Sequence, residues 1–373
     1  MSRNSPENER IKRQYFGFLK EAKRHSEPTV DAAAKALHRF EVYTKFRNFK
    51  VFRVEQAIAF KKHLSLQKGH RSGETLSKST MYATLTQLKR FFQWLACQPG
   101  YKSKFQYSDG EYFNLSDKDI RIATAHREQK FPTIEQIKHV LQRMTRNTDI
   151  EQRNRALIAF ALLTGSRDGA MASFKLKHVD LSAGCVRQDA RDVKTKFSKT
   201  FNTYFFPVGN EVTLIVEEWI AFLREQKLCG NEDPLFPATR LEVGADRRFK
   251  VVGLNKEPWS TAAPIRSIFR SAFVDAGLPY FNPHSFRNTL VQLGQERCSS
   301  PEEFKAWSQN LGHEKVLTTF VSYGEVSRNR QGEILRCLAF AKPGVSSSAE
   351  EIADAVYKRM SGPMVPMAIP SVG

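Results

Sequence analysis

Met81, Leu85, Leu88, Phe92 and Leu95 recur three and four residues apart between Ser77 and Ala96. That spacing sets them in one apolar stripe along a helix, and Gln98-Pro99-Gly100 stops the helix behind them. The same period recurs upstream. Ile11, Tyr15, Phe18 and Leu19 mark a first helix. Leu37, Phe40 and Tyr43 lie three apart in a second, running from Ala32 to Tyr43, and Val54 to Leu64 is a third. Glu27-Pro28-Thr29 reads as a stop and restart with Thr29 as N-cap. Arg71-Ser72-Gly73-Glu74 is a polar break before the fourth helix. Residues 1–99 are therefore expected to form a small all-helical domain, with Phe91, Phe92 and Trp94 in its core.

Residues 100–130 are polar and mixed, without a sustained period, and are expected to be a linker with some local structure. Lys130-Phe131-Pro132-Thr133 opens a second domain, where Thr133-Ile134-Glu135-Gln136 fits a capping box. Asn154 to Leu163 is apolar over most of its surface and reads as a buried helix. Val186 to Lys196 and Phe201 to Val208 read as a strand pair, with Ser198-Lys199-Thr200 at or near the turn. Val212 to Lys227, Ile265 to Ala276, Ser285 to Cys298 and Pro301 to Leu311 are expected to be helices. Residues 238–258, rich in charge and glycine, are expected to be a variable loop. After about 343, Ser, Gly and Pro dominate, apart from a helix-like piece from Glu350 to Met360. The fold class is mainly α with a small β-sheet.

A chain of 373 residues exceeds one typical domain, so two are expected. The formal net charge is +19. The first hundred residues hold 20 basic against 8 acidic side chains, so +12 of that excess lies there. Such a balance points to a polyanionic partner. The five cysteines include no C-x-x-C pair, which argues against a structural zinc site or a disulfide framework. A reduced cytosolic protein is expected. Met1-Ser2-Arg3-Asn4 leads into no apolar run, so no signal peptide is expected, and no apolar stretch reaches membrane-spanning length.

Thr164-Gly165-Ser166-Arg167, Pro283-His284-Ser285-Phe286-Arg287, Leu311-Gly312-His313 and a later Tyr323 supply two arginines, two histidines and a tyrosine. These types suit one task, holding a phosphodiester while a phenol attacks it. Two guanidinium forks grip non-bridging oxygens through paired, charge-assisted hydrogen bonds. Imidazoles near neutral pKa move protons, and a tyrosine oxygen, once activated, forms a covalent intermediate. Neither a metal nor any other cofactor is needed. His284 and Arg287 are three apart, so one helical turn sets both on a shared face.

In this order the motifs resemble those of the tyrosine recombinases, the phage-integrase-like site-specific recombinases. That pattern runs T-G-x-R, a lysine in a β-hairpin, H-x-x-R, L-G-H and a C-terminal tyrosine. The resemblance implies a helical, SAM-like, DNA-binding core-binding domain over residues 1–99 and a linker over 100–130. It further implies a mixed α/β catalytic domain over 131–345 and a tail, 346–373, that packs onto a neighbouring protomer or ends free. Carried over residue by residue, Arg167, Arg287 and His313 hold the scissile phosphate, His284 assists proton movement and Tyr323 is the nucleophile. The lysine has two candidates. Counting back from Pro207 selects Lys199, which is favoured, and the local sequence Val193-Lys194-Thr195 makes Lys194 the alternative. One departure is visible: the acid that members carry three positions after the first arginine is Ala170 here, with Asp168 nearby.

The resemblance also implies a 3′-phosphotyrosyl intermediate, double-stranded DNA as partner and a homotetramer on two DNA sites. Accessory DNA-bending or directionality proteins, and a role in integration or excision of a mobile element in the bacterial cytoplasm, on the nucleoid, follow from it too. Three rival readings are a type IB topoisomerase-like enzyme, a DNA-binding regulator on a decayed version of the fold, and a metal-dependent nuclease. The short helical N-terminal domain and the L-G-H…Y ending speak against the first. Ala170 is the main feature favouring the second, and the third lacks a clustered Asp/Glu set.

Overall fold

The computed structural model describes residues 5–68, 73–125, 130–195, 198–244 and 247–313. Tyr323, the tail and the expected helix-like piece at 350–360 lie outside them. The chain divides into two units, Met1–Arg127 and Glu128–Gly373. Among the described residues no helix is long and apolar enough to cross a membrane.

The first unit is all-helical. Helix α1 (Pro6–Gly17) continues into a π-helical turn, Phe18–Ala22. Helix α2 (Glu27–Tyr43) starts earlier than Thr29 suggests, with Ser26 at the N-cap. Pro28 is tolerated there because a first-turn amide has no helical partner to lose. Helices α3 (Val54–Leu66) and α4 (Lys78–Ala96) follow, and the Ser77 hydroxyl accepts from the Thr80 amide at the start of α4. Leu88, Phe91 and Leu95 on α4 are fully buried. Phe40 meets Phe60 and Phe92 edge-on at 5.2 and 5.4 Å, a geometry that favours the ring quadrupoles.

The expected linker is largely not one. Tyr101, Phe105 and Phe113 are buried in the same core, and a 3₁₀ turn, Tyr107–Phe113, packs on α3 and α4. Helix α5 (Asp117–Thr124) is tied back to α4 by a 2.9 Å Lys78–Asp119 ion pair. The aromatics of this stretch have no regular spacing, so burial here left no periodic signal.

The second unit opens with α6 (Ile134–Arg143), whose capping box forms: Thr133 Oγ1 accepts from the Gln136 amide and Gln136 Oε1 from the Thr133 amide. Helix α7 (Asp149–Thr164) is the central element, buried from Ala156 to Thr164, and packs against α6 and α9 (Asn210–Glu225). A short α8 (Asp168–Met171) follows it. The strand pair is a three-stranded antiparallel sheet, because β1 (Val179–Asp180) adds to β2 (Cys185–Gln188) and β3 (Phe201–Tyr204), pairing Val186 with both Val179 and Thr203. The strands are shorter than expected, since Asp189–Arg191 contacts turn the chain out of β2.

Residues 238–258, expected as a loop, hold a hairpin of β4 (Thr239–Val243) and β5 (Phe249–Leu254). Helix α7 anchors its base: Arg153 donates to Pro237 O and Thr239 Oγ1 and stacks over Trp259. Helices α10 (Ala263–Asp275), α11 (Ser285–Arg297) and α12 (Pro301–Asn310) complete the unit.

Candidate active site

Three chain segments converge where α7 ends. Thr164 Oγ1 donates to Phe160 O and accepts from the Ser166 amide, closing the helix, while Gly165 takes the left-handed conformation at φ 58°. A Cβ at Gly165 would stand 2.9 Å from both Leu290 Cδ1 of α11 and Leu311 Cδ2. The glycine therefore serves two needs, a helix end with positive φ and a close approach of two other segments.

Leu290 belongs to the helix that carries Arg287. Helix α11 is fixed at its start, where Thr289 Oγ1 donates to Pro132 O. It is fixed from behind by α12, whose Trp307 indole donates to Leu290 O. Asn310 at the end of α12 bonds the Tyr204 main chain through both its amide groups. This sets Leu311-Gly312-His313 against β3, where Gly312 has φ 71° and a Cβ there would lie 2.6 Å from Phe201 Cζ.

Arg287 is buried and joins these segments. Its Nη1 donates to Gly165 O at 2.7 Å, and its Nη2 to Leu311 O at 2.5 Å. Nη2 also lies 2.9 Å from His313 Nε2. A guanidinium only donates, so this His313 nitrogen is the acceptor and the ring proton sits on Nδ1. Among the described residues no carboxylate pairs with Arg287. Burial, with the charge of Arg167 adding to it, pushes the guanidinium down to about 9. Burial lowers Arg167 as well, and it has no hydrogen-bond partner among the described residues. The charge of Arg167 thus reaches Arg287, and two like charges so placed raise the affinity for an anion.

Arg167 and His284 line a cleft of about 290 Å³ together with Asp168, Arg266, Asn282 and Pro283. His284 is exposed at the first turn of α11, while Arg287, one turn on, is buried. Asn282 holds that turn: its side-chain oxygen accepts from the Ser285 amide and its carbonyl from Ser285 Oγ.

A family description, the phage integrase family, matches residues 130–330, more than half of the chain. The chain belongs to the phage integrase family. As a tyrosine recombinase it is an enzyme that cleaves and rejoins DNA in site-specific recombination. It is similar to the tyrosine recombinase XerC of Lactobacillus delbrueckii subsp. bulgaricus, 25% identical over 265 residues, covering 69% of this chain and 75% of the relative. It is also similar to XerC of Halalkalibacterium halodurans, 22% identical over 86% of this chain and 93% of the relative. Among solved structures, a lambda integrase dimer bound to a core site aligns with a TM-score of 0.57 at 12% identity, covering 86% of this chain and 96% of that one. XerH bound to its difH substrate aligns at 0.54 and 18%, covering 90% of each. These two likenesses give the fold.

Of the recombinase residues named from the sequence, Arg167 and His284 line this cleft, and Arg287 contacts His313 and is reached by the charge of Arg167. Tyr323 is outside the described residues. Both candidate lysines lie in the connection between β2 and β3. The Lys194 amide donates to Ser173 Oγ, and its carbonyl lies 3.8 Å from where a Gly169 Cβ would stand, beside the short helix that Arg167 caps. Lys194 Nζ is 3.4 Å from Ser260 O. Lys199 is half-buried and precedes Phe201, whose ring covers Gly312.

Ala170 is buried in the core, 1% exposed. Asp168 bonds Arg266 of α10 at 2.7 Å. Where an acid could have oriented Arg287, main-chain carbonyls of Gly165 and Leu311 do so. The sequence could not announce them, because a carbonyl has no residue type.

Proposed function

We propose that this recombinase transfers a DNA phosphodiester to Tyr323 and back without a metal. The Tyr323 oxygen bonds to phosphorus in line as the bond from phosphorus to the 5′ oxygen breaks. The product is a 3′-phosphotyrosyl link and a free 5′ hydroxyl. A 5′ hydroxyl from a partner strand then reverses the step, so bond energy is conserved. The observation that carries this reading is the Arg287–Arg167 pair, two guanidiniums near enough for the charge of one to lower the pKa of the other, with no carboxylate paired to Arg287 among the described residues. Their preorganised donors, with His313, stabilise the non-bridging oxygens; one such donor is typically worth about 2.7–4 kcal/mol.

The leaving 5′ oxygen takes its proton from a hairpin lysine. Lys199 takes this role, with Lys194 as the alternative in the same connection between β2 and β3, and exposed His284 assists removal of the phenol proton. A phenol of ordinary pKa, about 10, is mostly protonated at neutral pH, and the nearby cations favour its loss.

The basic excess suits a duplex partner, with most contacts to phosphate and few to bases. The assembly we propose is four protomers on two duplexes, acting in the bacterial cytoplasm on nucleoid DNA to integrate or excise a mobile element, with DNA-bending or directionality proteins as helpers. A nicked duplex from DNA flanking the native gene tests the chemistry. A denaturant-stable protein–DNA adduct that forms equally in EDTA supports it. Tight binding with no adduct would favour the regulator, and a cut that EDTA abolishes would favour a nuclease. A 5′-bridging sulfur in the scissile linkage, whose leaving group needs no proton, is expected to rescue Lys199→Ala, and rescue of Lys194→Ala instead would assign the role to the alternative lysine.

A further inference from the structure

Helix α10 brings a third guanidinium to the cleft that the recombination motifs do not account for. Arg266 Nε donates to Asp168 Oδ2 at 2.7 Å, and both residues line the cleft with Arg167 and His284. A carboxylate in a site built for a phosphate opposes binding unless a cation neutralises it. Arg266 does this through one edge only. Its two terminal nitrogens make no hydrogen bond among the described residues, and its side chain is 60% exposed. The fork is therefore held by its Nε edge with donors to spare, which lowers the entropy lost when an anion engages it.

We propose that Arg266 grips a DNA phosphate adjoining the scissile one, and that Asp168 is the positioning residue that presents it. This deepens the recombination reading and rests on it. The scissile phosphate belongs to the buried wall of Arg287 and Arg167. Arg266, on the exposed rim, meets the next phosphate along the strand and fixes the register in which the scissile phosphorus faces the nucleophile.

The test uses the full-length enzyme and nicked duplexes in which each phosphate near the cleavage position is replaced, one at a time, by a neutral methylphosphonate. On unmodified DNA, Arg266→Ala is expected to slow adduct formation by about 10- to 100-fold, the usual worth of a charge-assisted hydrogen bond. At one flanking position the wild type is expected to slow by a similar factor, and Arg266→Ala to add nothing further there. Asp168→Asn is expected to show a smaller loss that vanishes at the same position. Arg270→Ala is the control, one turn along α10, its guanidinium stacked 4.0 Å over the Tyr280 ring and outside the cleft lining; its effect is expected to be the same on every substrate. Adduct formation by Arg266→Ala at the wild-type rate, or a loss that multiplies with every methylphosphonate alike, would overturn the proposal. No adduct from the wild type on unmodified DNA would overturn the recombination chemistry itself.

Discussion

Arg287 donates a 2.7 Å hydrogen bond to the carbonyl oxygen of Gly165, a residue 122 positions earlier in the chain. This contact joins the first arginine motif to the second. It makes the end of α7 a structural part of the phosphate grip, so changes at the helix end are expected to reach the chemistry.

Gly165→Ala is expected to do so. The substitution places a side chain at φ 58° and drives its Cβ to 2.9 Å from Leu290 and Leu311. The left-handed backbone and the overpacking together are expected to cost about 2–4 kcal/mol, read as a lowered midpoint in urea. Adduct formation is expected to fall in protein that remains folded, because the residue 165 carbonyl that anchors Arg287 is displaced. Unchanged stability would contradict the packing described here.

Arg287→Lys separates charge from geometry. The ammonium keeps the cation but lacks the planar fork that reaches Gly165 O and Leu311 O together. Adduct formation is expected to fall by about 10²- to 10³-fold, while DNA affinity, measured by equilibrium binding, changes little. A lysine variant with near-normal cleavage would mean that charge alone suffices.

His178 sets a pH dependence for the second unit. Its Nδ1 accepts from the Lys175 amide and its ring is 4% exposed. Burial lowers its pKa, despite the opposing pull of Asp192. In the window below the ordinary value of about 6.5, the unfolded chain binds a proton that the folded one resists. The stability from neutral His178 is thus complete above that value and is lost as pH falls. His178→Asn, whose side-chain oxygen can still accept from Lys175, is expected to flatten the decline between about pH 7 and 5 in thermal melts. An unaltered slope would assign the acid sensitivity elsewhere.

Salt tests the basic surface. With a net charge of +19, binding through six to ten phosphates is expected to weaken by roughly 10³- to 10⁵-fold between 50 and 200 mM salt. A shallow dependence would mean that few of the cations touch the backbone.

Much of this was legible in the sequence, and the misses share a cause. The stripe from Met81 to Leu95 and the Thr133 capping box are local patterns, and the chain folds as they say. Arg167, His284, Arg287 and His313 could be chosen because their motifs follow one another in the order that resembles the tyrosine recombinases, although each motif alone is weak. What escaped depends on contacts remote in sequence. Phe105 and Phe113 enter the first core without a period. The hairpin at 239–254 pairs across a charged, glycine-containing stretch that resembles a loop. Arg266 meets Asp168 across 98 positions, a partnership that no motif spacing encodes. Counting back from Pro207 favours Lys199 over Lys194, and both lie in a connection between β2 and β3 that is longer than a tight turn.

The most direct measurement is to trap the wild-type enzyme on a nicked duplex, digest the adduct and identify the residue that carries the nucleotide. A 3′-phosphate linked to Tyr323, together with an adduct-free Tyr323→Phe protein that still binds the DNA, is the expected result. Attachment through another residue, or an adduct that persists in Tyr323→Phe, would contradict the account.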